Sequence, residues 1–387
     1  MRAFKSLLTL PALLLAILLM LACGVVGRDA PTVIPPKPTA TQVPPTAVPS
    51  MVPTPTLTLP TELPTLIPLR PDNVSDLTVF QAFKIGDMVR ALAFSPDGNT
   101  LAAAGGNSGD YDIHIWDVTK GKLVNVLTGH TGIVWDLAFS SDGRYLVSVS
   151  SDRTAQIRAW PEGDPVKTIE FKGQIIRARF SPDGKMIAVG GVDVIDANIR
   201  RAAVWTYSVG DWEPGLVFPE DINITALAYS PDSRFLIGGG TSRNVQVWST
   251  GDGSEVFTLS HAHQVQNIAI SVDGLTAAAA TCRTTGDARC LEGEIWLWGL
   301  SDGRLIRKLA FFPGVVTGLA YSPEGSFLFA GSADGTLRAY STRDYAPVFE
   351  SFNSGGIEAL AVSADGRLLA TGGSGGDVNL WKVVPPP

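Results

Sequence analysis

Four groups of residues have side-chain types at spacings that could do chemistry. Residues 372–376 read G-G-S-G-G. That matches a nucleophile elbow, but the elbow needs a strand-to-helix turn in an α/β sheet. His130, Ser148 and Asp152 are the three side-chain types of a Ser-His-Asp triad. His261 and His263 form an H-x-H pair, two of the ligands a metal would use, but no third ligand is evident. Cys282 and Cys290 flank R-T-T-G-D-A-R, and Cys23 stands apart from them. No phosphate-binding loop, H-E-x-x-H or calcium-loop spacing occurs. The expectation is therefore a non-enzymatic chain with no metal and no cofactor.

Composition bounds what can position these residues. The chain has 387 residues, 45% of them hydrophobic, enough for a sizeable core. A formal charge of −7 argues against nucleic acid as a partner. At the N-terminus, Arg2 and Lys5 precede an apolar run that ends M-L-A before Cys23. This resembles the lipobox of bacterial lipoproteins. The resemblance implies a signal peptide over 1–22, a lipid on Cys23, and an extracytoplasmic protein anchored to the cell membrane. Residues 23–75 are rich in proline and threonine without strand or helix period, and read as a disordered tether.

The remainder repeats. A-F-S-P-D-G, with close variants, recurs with its acidic residue at 97, 142, 183, 232, 273, 324 and 365. Such spacing marks an array of supersecondary units. Each unit reads as four short strands. Pro and Gly in S-P-D-G suit a tight type I turn, in which Ser and Asp bond the local backbone. The second strands are unusually small, as in L-A-A-A-G-G and L-I-G-G-G, which fits strands crowded near an axis. The third strands end in Trp116, Trp160, Trp205, Trp248, Trp298, Tyr340 and Trp381.

With I-W-D-V at 115–118 and G-H at 129–130, residues 76–384 resemble the WD-repeat β-propellers. The TolB periplasmic proteins also use S-P-D-G turns, but usually without the third-strand tryptophan. The expectation is an all-β, seven-bladed propeller with four antiparallel strands per blade. After Trp381 no fourth strand is left for the last unit, and only a short tail at 385–387 follows it. The strand at 76–87 is therefore expected to complete the seventh blade and close the ring.

The resemblance implies a buried hydrogen-bonded brace of His130, Ser148, Asp152 and Trp160, not a triad. For an exported protein, Cys282 and Cys290 across one hairpin suggest a disulfide. Insertions fall in blades one, three and five, between second and third strands, and enlarge one rim. On that rim, aligned first strands place Arg90, Trp135, Ile176, Thr225, Gln266, Thr317 and Glu358 at one position. Arg90, Trp135, Arg177, Gln266 and Glu358, with Phe311 and Phe312, are the expected contacts for a protein or peptide partner. The expected function is a membrane-anchored interaction scaffold built on a monomeric propeller. The alternative is a lactonase-like or glycan-binding propeller whose channel gathers Asp136, Arg177 and Glu358.

Overall fold

The computed structural model describes residues 67–107, 109–194, 200–220, 223–285, 289–309 and 311–383. Among the described residues, strands form seven four-stranded antiparallel sheets. These are the blades of a β-propeller. Six use consecutive strands: 89–127, 134–170, 175–220, 224–260, 264–308 and 316–352. The seventh combines Ala359–Val362, Leu369–Gly372 and Asp377–Val383 with Leu77–Lys84 from far upstream. Leu77 pairs with Val383 and Lys84 with Asp377. The ring is thus closed by an early strand, as the repeat count requires.

The repeated turns explain themselves chemically. In blade two, Ser140 Oγ donates to Asp142 Oδ1 at 2.6 Å and accepts from the Tyr145 N–H at 2.9 Å. The Gly143 N–H closes the turn on the Ser140 carbonyl at 2.9 Å. The serine opening this turn is buried in all seven blades, so it satisfies a backbone donor that water cannot reach. The residue after the acidic one sits at φ between 62° and 77°, where glycine is preferred. Blade four has Ser233 there, at φ 62°. Its hydroxyl accepts the Asp183 N–H of the preceding blade at 3.0 Å, an inter-blade bond that offsets the backbone cost.

Small second-strand residues are a packing demand. A Cβ at Gly105 or Gly240 would lie 1.8 Å from a main-chain oxygen of its own blade, Met88 O or Asn223 O. The apolar cores lie between neighbouring blades. One joins Ala102, Ile115 and Leu127 of blade one to Val134, Leu137 and Leu146 of blade two. Outer strands keep exposed faces, such as Leu123 and Val124. Cores of this kind lose about 3–5 kcal/mol when a buried aromatic is truncated to alanine.

Register corrects two of the expected aromatics. Second-strand Leu101, Leu236, Ala277, Leu328 and Leu369 face Trp116, Trp248, Trp298, Tyr340 and Trp381. The corresponding Leu146 faces Arg158, and Ile187 faces Tyr207. Trp160 lies beyond its strand, Thr154–Ala159, and Trp205 two residues before the shared position. The expected loops of blades three and five are also partly strand. Their hairpins lengthen to Met186–Val194 with Arg200–Ser208, and to Thr276–Thr285 with Arg289–Gly299.

Candidate functional site

The innermost strands of six blades share a defect. Register shifts fall at Val89/Ala91, Val134/Asp136, Ile175/Arg177, Ile224/Ala226, Val265/Asn267 and Val316/Gly318. The residues skipped are Arg90, Trp135, Ile176, Thr225, Gln266 and Thr317. A β-bulge leaves its extra residue outside the ladder and re-aims its side chain. Here all six, with Glu358 and Arg177, line one pocket of about 220 Å³ at the mouth of the central channel. These six and Glu358 share one position of the repeat. The bulge that turns them to the mouth leaves no residue signature of its own.

The ring is amphipathic. The Arg90 guanidinium lies 4.6 Å from the centre of the Trp135 ring, a cation–π contact. Arg177 Nη1 donates to the carbonyls of Ile176, at 3.2 Å, and Trp135, at 3.4 Å. Burial pushes its pKa below the usual arginine value, partly offset by the Asp136 carboxylate. Burial raises the Glu358 carboxyl, and the nearby Arg90 charge partly offsets the rise. Thr225 and Thr317 donate their hydroxyls to the Val265 and Ile357 carbonyls of the next blade. Arg90 Nε and Trp135 Nε1 are buried without a hydrogen-bond partner. Each such donor costs about 1–3 kcal/mol, a cost that an acceptor on a ligand would relieve.

Two expected contacts are elsewhere. Asp136 is turned away from the mouth, between blades two and three, where it accepts from Arg179 Nη1 and, at 3.0 Å, from the Ala178 N–H. Phe312 is fully buried, whereas Phe311 is 41% exposed. Phe312 bridges to Gly293 and packs with Ile295, Leu309 and Val316 under the Arg338 guanidinium. It belongs to the core between blades five and six, and only Phe311 is open to a partner.

The triad types do meet. His130 Nε2 lies 2.8 Å from Ser148 Oγ, and Nδ1 lies 2.7 Å from Asp152 Oδ2. Burial alone would raise the Asp152 carboxyl, but hydrogen bonds from His130, Thr154 and the Thr131 N–H hold it well below the usual range. Ser148 is only 1% exposed, so no substrate carbonyl can reach its oxygen. The arrangement is a brace. Trp160 is not in it. Its ring packs edge-on against Phe139, with centroids 5.1 Å apart. Arg158 occupies the aromatic position and donates to the Gly163 carbonyl at 3.1 Å and to the Thr128 carbonyl.

His261 stands in blade five where His130 stands in blade two. It is buried between Trp296 and Trp298, at 5.1 and 5.2 Å. Neither ring nitrogen has a hydrogen-bond partner. Burial, with a smaller contribution from Lys308, lowers its pKa to about 4. Among the described residues no cluster of His, Cys, Asp and Glu could hold a metal. Cys282 is buried and disulfide-bonded. The Cys290 side chain lies outside the described residues, as do Cys23, the 1–22 segment and the tether up to residue 66. The G-G-S-G-G segment joins two strands of blade seven, Leu369–Gly372 and Asp377–Val383, so it is not an elbow.

This geometry defines the molecule as a seven-bladed β-propeller with a bulge-built channel mouth. Residues 77–117, 121–158, 214–249, 304–341 and 347–382 match the family model "WD domain, G-beta repeat". The chain thus carries five WD40 repeats. The two long internal stretches between these matches, 159–213 and 250–303, hold the long hairpins of blades three and five. The chain is 29% identical to the Periodic tryptophan protein 2 homolog of Neurospora crassa over 64% of this chain and 30% of that protein. It spans less than a third of that relative's length. It is 23% identical to the Serine-threonine kinase receptor-associated protein of Gallus gallus, over 68% of this chain and 71% of that one. With Eukaryotic translation initiation factor 3 subunit I of Drosophila sechellia it shares 23% identity, over 76% and 92%.

These relatives are eukaryotic proteins, and that overturns the expected location, an extracytoplasmic protein lipid-anchored to a bacterial cell membrane. Among the described residues no helix is long and apolar enough to cross a membrane.

Proposed function

We propose that the protein is a non-catalytic interaction scaffold that binds a protein or peptide at the channel mouth. The observation that carries this is the ring itself. Seven blades present one residue each, and the Arg90–Trp135 pair, Arg177 and Glu358 line one pocket of about 220 Å³. Tryptophan and arginine dominate interface hot spots because they combine large apolar area with directional donors. Buried, unpartnered Arg90 Nε and Trp135 Nε1 ask for carbonyl or carboxylate acceptors, which peptides supply. A relative named as receptor-associated and another named as a subunit of a larger factor agree with this reading.

The test is crosslinking and co-purification with the full chain and its Trp135→Ala variant. Losing Trp135 should cost about 2 kcal/mol of partner binding and deplete the captured partner, while the fold persists by circular dichroism. An unchanged partner profile with the variant removes the channel mouth as the binding face.

A further inference from the structure

Blade seven departs from blade two at the place where blade two is braced. Asn353 precedes Ile357 as His130 precedes Val134. Thr371 takes the place of Ser148, and Gly375 that of Asp152. A shorter side chain and a glycine leave open what the imidazole fills in blade two. The result is a second pocket, of about 290 Å³, between blades six and seven. We propose that this pocket is a binding site for a single neutral sugar ring, separate from the channel mouth.

The polar groups around it are placed but unsaturated. Thr371, 2% exposed, accepts from Trp381 Nε1 at 3.0 Å, which leaves its own hydroxyl proton to donate. Asn379 Nδ2 reaches Asn353 Oδ1 only at 3.5 Å, and Asn353 Nδ2 reaches the Gly335 carbonyl at 3.4 Å. Both bonds are at the weak limit, so both amides keep donors and acceptors for a ligand. The glycine-rich run shapes the wall. A Cβ on Gly373 would lie 3.2 Å from the Gly356 carbonyl oxygen, and Ser374 Oγ ties this turn to the Gly355 carbonyl.

Charge and apolar surface select the ligand class. Asp377 is the one formal charge lining the pocket. Lys84 Nζ stands 3.5 Å from that carboxylate, so the pair carries no net charge to draw an ion of either sign. Phe352 borders the pocket and is 71% exposed, more than any other large apolar side chain among the described residues. Its ring lies against Gly335, where an added Cβ would approach it to 3.2 Å. A neutral ligand with many hydroxyls and one apolar C–H face matches this lining. The volume, near the roughly 300 Å³ lower end of small-molecule pockets, suits one ring.

The experiment is saturation-transfer NMR of the full chain with methyl α-glucopyranoside, methyl α-mannopyranoside, methyl β-galactopyranoside and, as the anion arm, inorganic phosphate. At least one glycoside should bind saturably at millimolar concentration. Its affinity should fall about tenfold or more in both Phe352→Ala and Asp377→Asn and stay unchanged in Trp135→Ala. Phe352→Ala removes only an exposed side chain, so it reports on the site even if Asp377→Asn perturbs the blade. Absence of binding by all three glycosides, saturable binding of phosphate alone, or a signal untouched by Phe352→Ala would each overturn the assignment.

Discussion

His130 and His261 stand at the same place in two blades and are held by opposite means. In blade two, Ser148 and Asp152 take both ring nitrogens. In blade five, Ala279 stands where Ser148 would, Trp296 where Gln156 would, and the ring is packed between two indoles. One solution satisfies the polar groups, and the other keeps the ring neutral and accepts two unpartnered nitrogens. The difference teaches that the repeat specifies a volume to be filled, while the chemistry filling it is decided blade by blade.

The largest effect should come from breaking the polar brace. Asp152→Ala removes the acceptor of His130, of the Thr131 N–H and of Thr154. Loss of one partner from such a buried set costs about 3–5 kcal/mol, measured as a lower urea midpoint. A change below 1 kcal/mol would erase the distinction between the two blades.

The pH response separates them next. Folded His261 titrates near 4, below the roughly 6.5 of an unfolded histidine. Between those values the unfolded chain binds more protons. Stability therefore falls as pH drops from 6.5 toward 4, by up to about 3 kcal/mol from this residue. The depressed Asp152 carboxyl acts in a different window: its contribution is complete above the unfolded value near 4 and is lost only below it. Urea titrations across pH 4–7 should show the histidine slope in the wild type and its loss in His261→Phe.

The smallest effect sharpens the comparison most. Ala279→Ser offers His261 the hydroxyl that blade two has. Stability at pH 7 should change by less than about 1 kcal/mol, while the slope between pH 4 and 6.5 becomes shallower. An unaltered slope would show that the serine hydroxyl alone does not set the histidine.

Much of the fold was legible because its signals are local. Ser140, Asp142 and Gly143 specify their turn through bonds within six residues, and the same turn recurs in every blade. The Arg90 to Glu358 ring is legible for the same reason, because each member lies at a fixed distance before its turn. What sequence missed depends on register or on neighbours. Two residues added before Trp160 shifted it out of the aromatic position, and only strand pairing shows Arg158 there instead. Phe312 follows an exposed phenylalanine in a loop, and its burial is decided by Gly293 and Val316 across the blade boundary. Asp136 is adjacent to Trp135, but the bulge sends the two side chains to different places. The lipobox resemblance lies on residues outside the described structure, and similarity to eukaryotic proteins overturns the location it implies.

The pairing of Leu77–Lys84 with Asp377–Val383 sets an order of events during synthesis. Among the described strands Leu77–Lys84 is made first and its partner last, so it emerges from the ribosome and must wait while six blades are completed. During that interval its unpaired backbone groups are an open edge, available to other chains. Closure then joins residues some three hundred apart in sequence, which makes it entropically slow compared with forming any single blade. Once made, it converts seven weakly independent sheets into a circle with no end from which to fray.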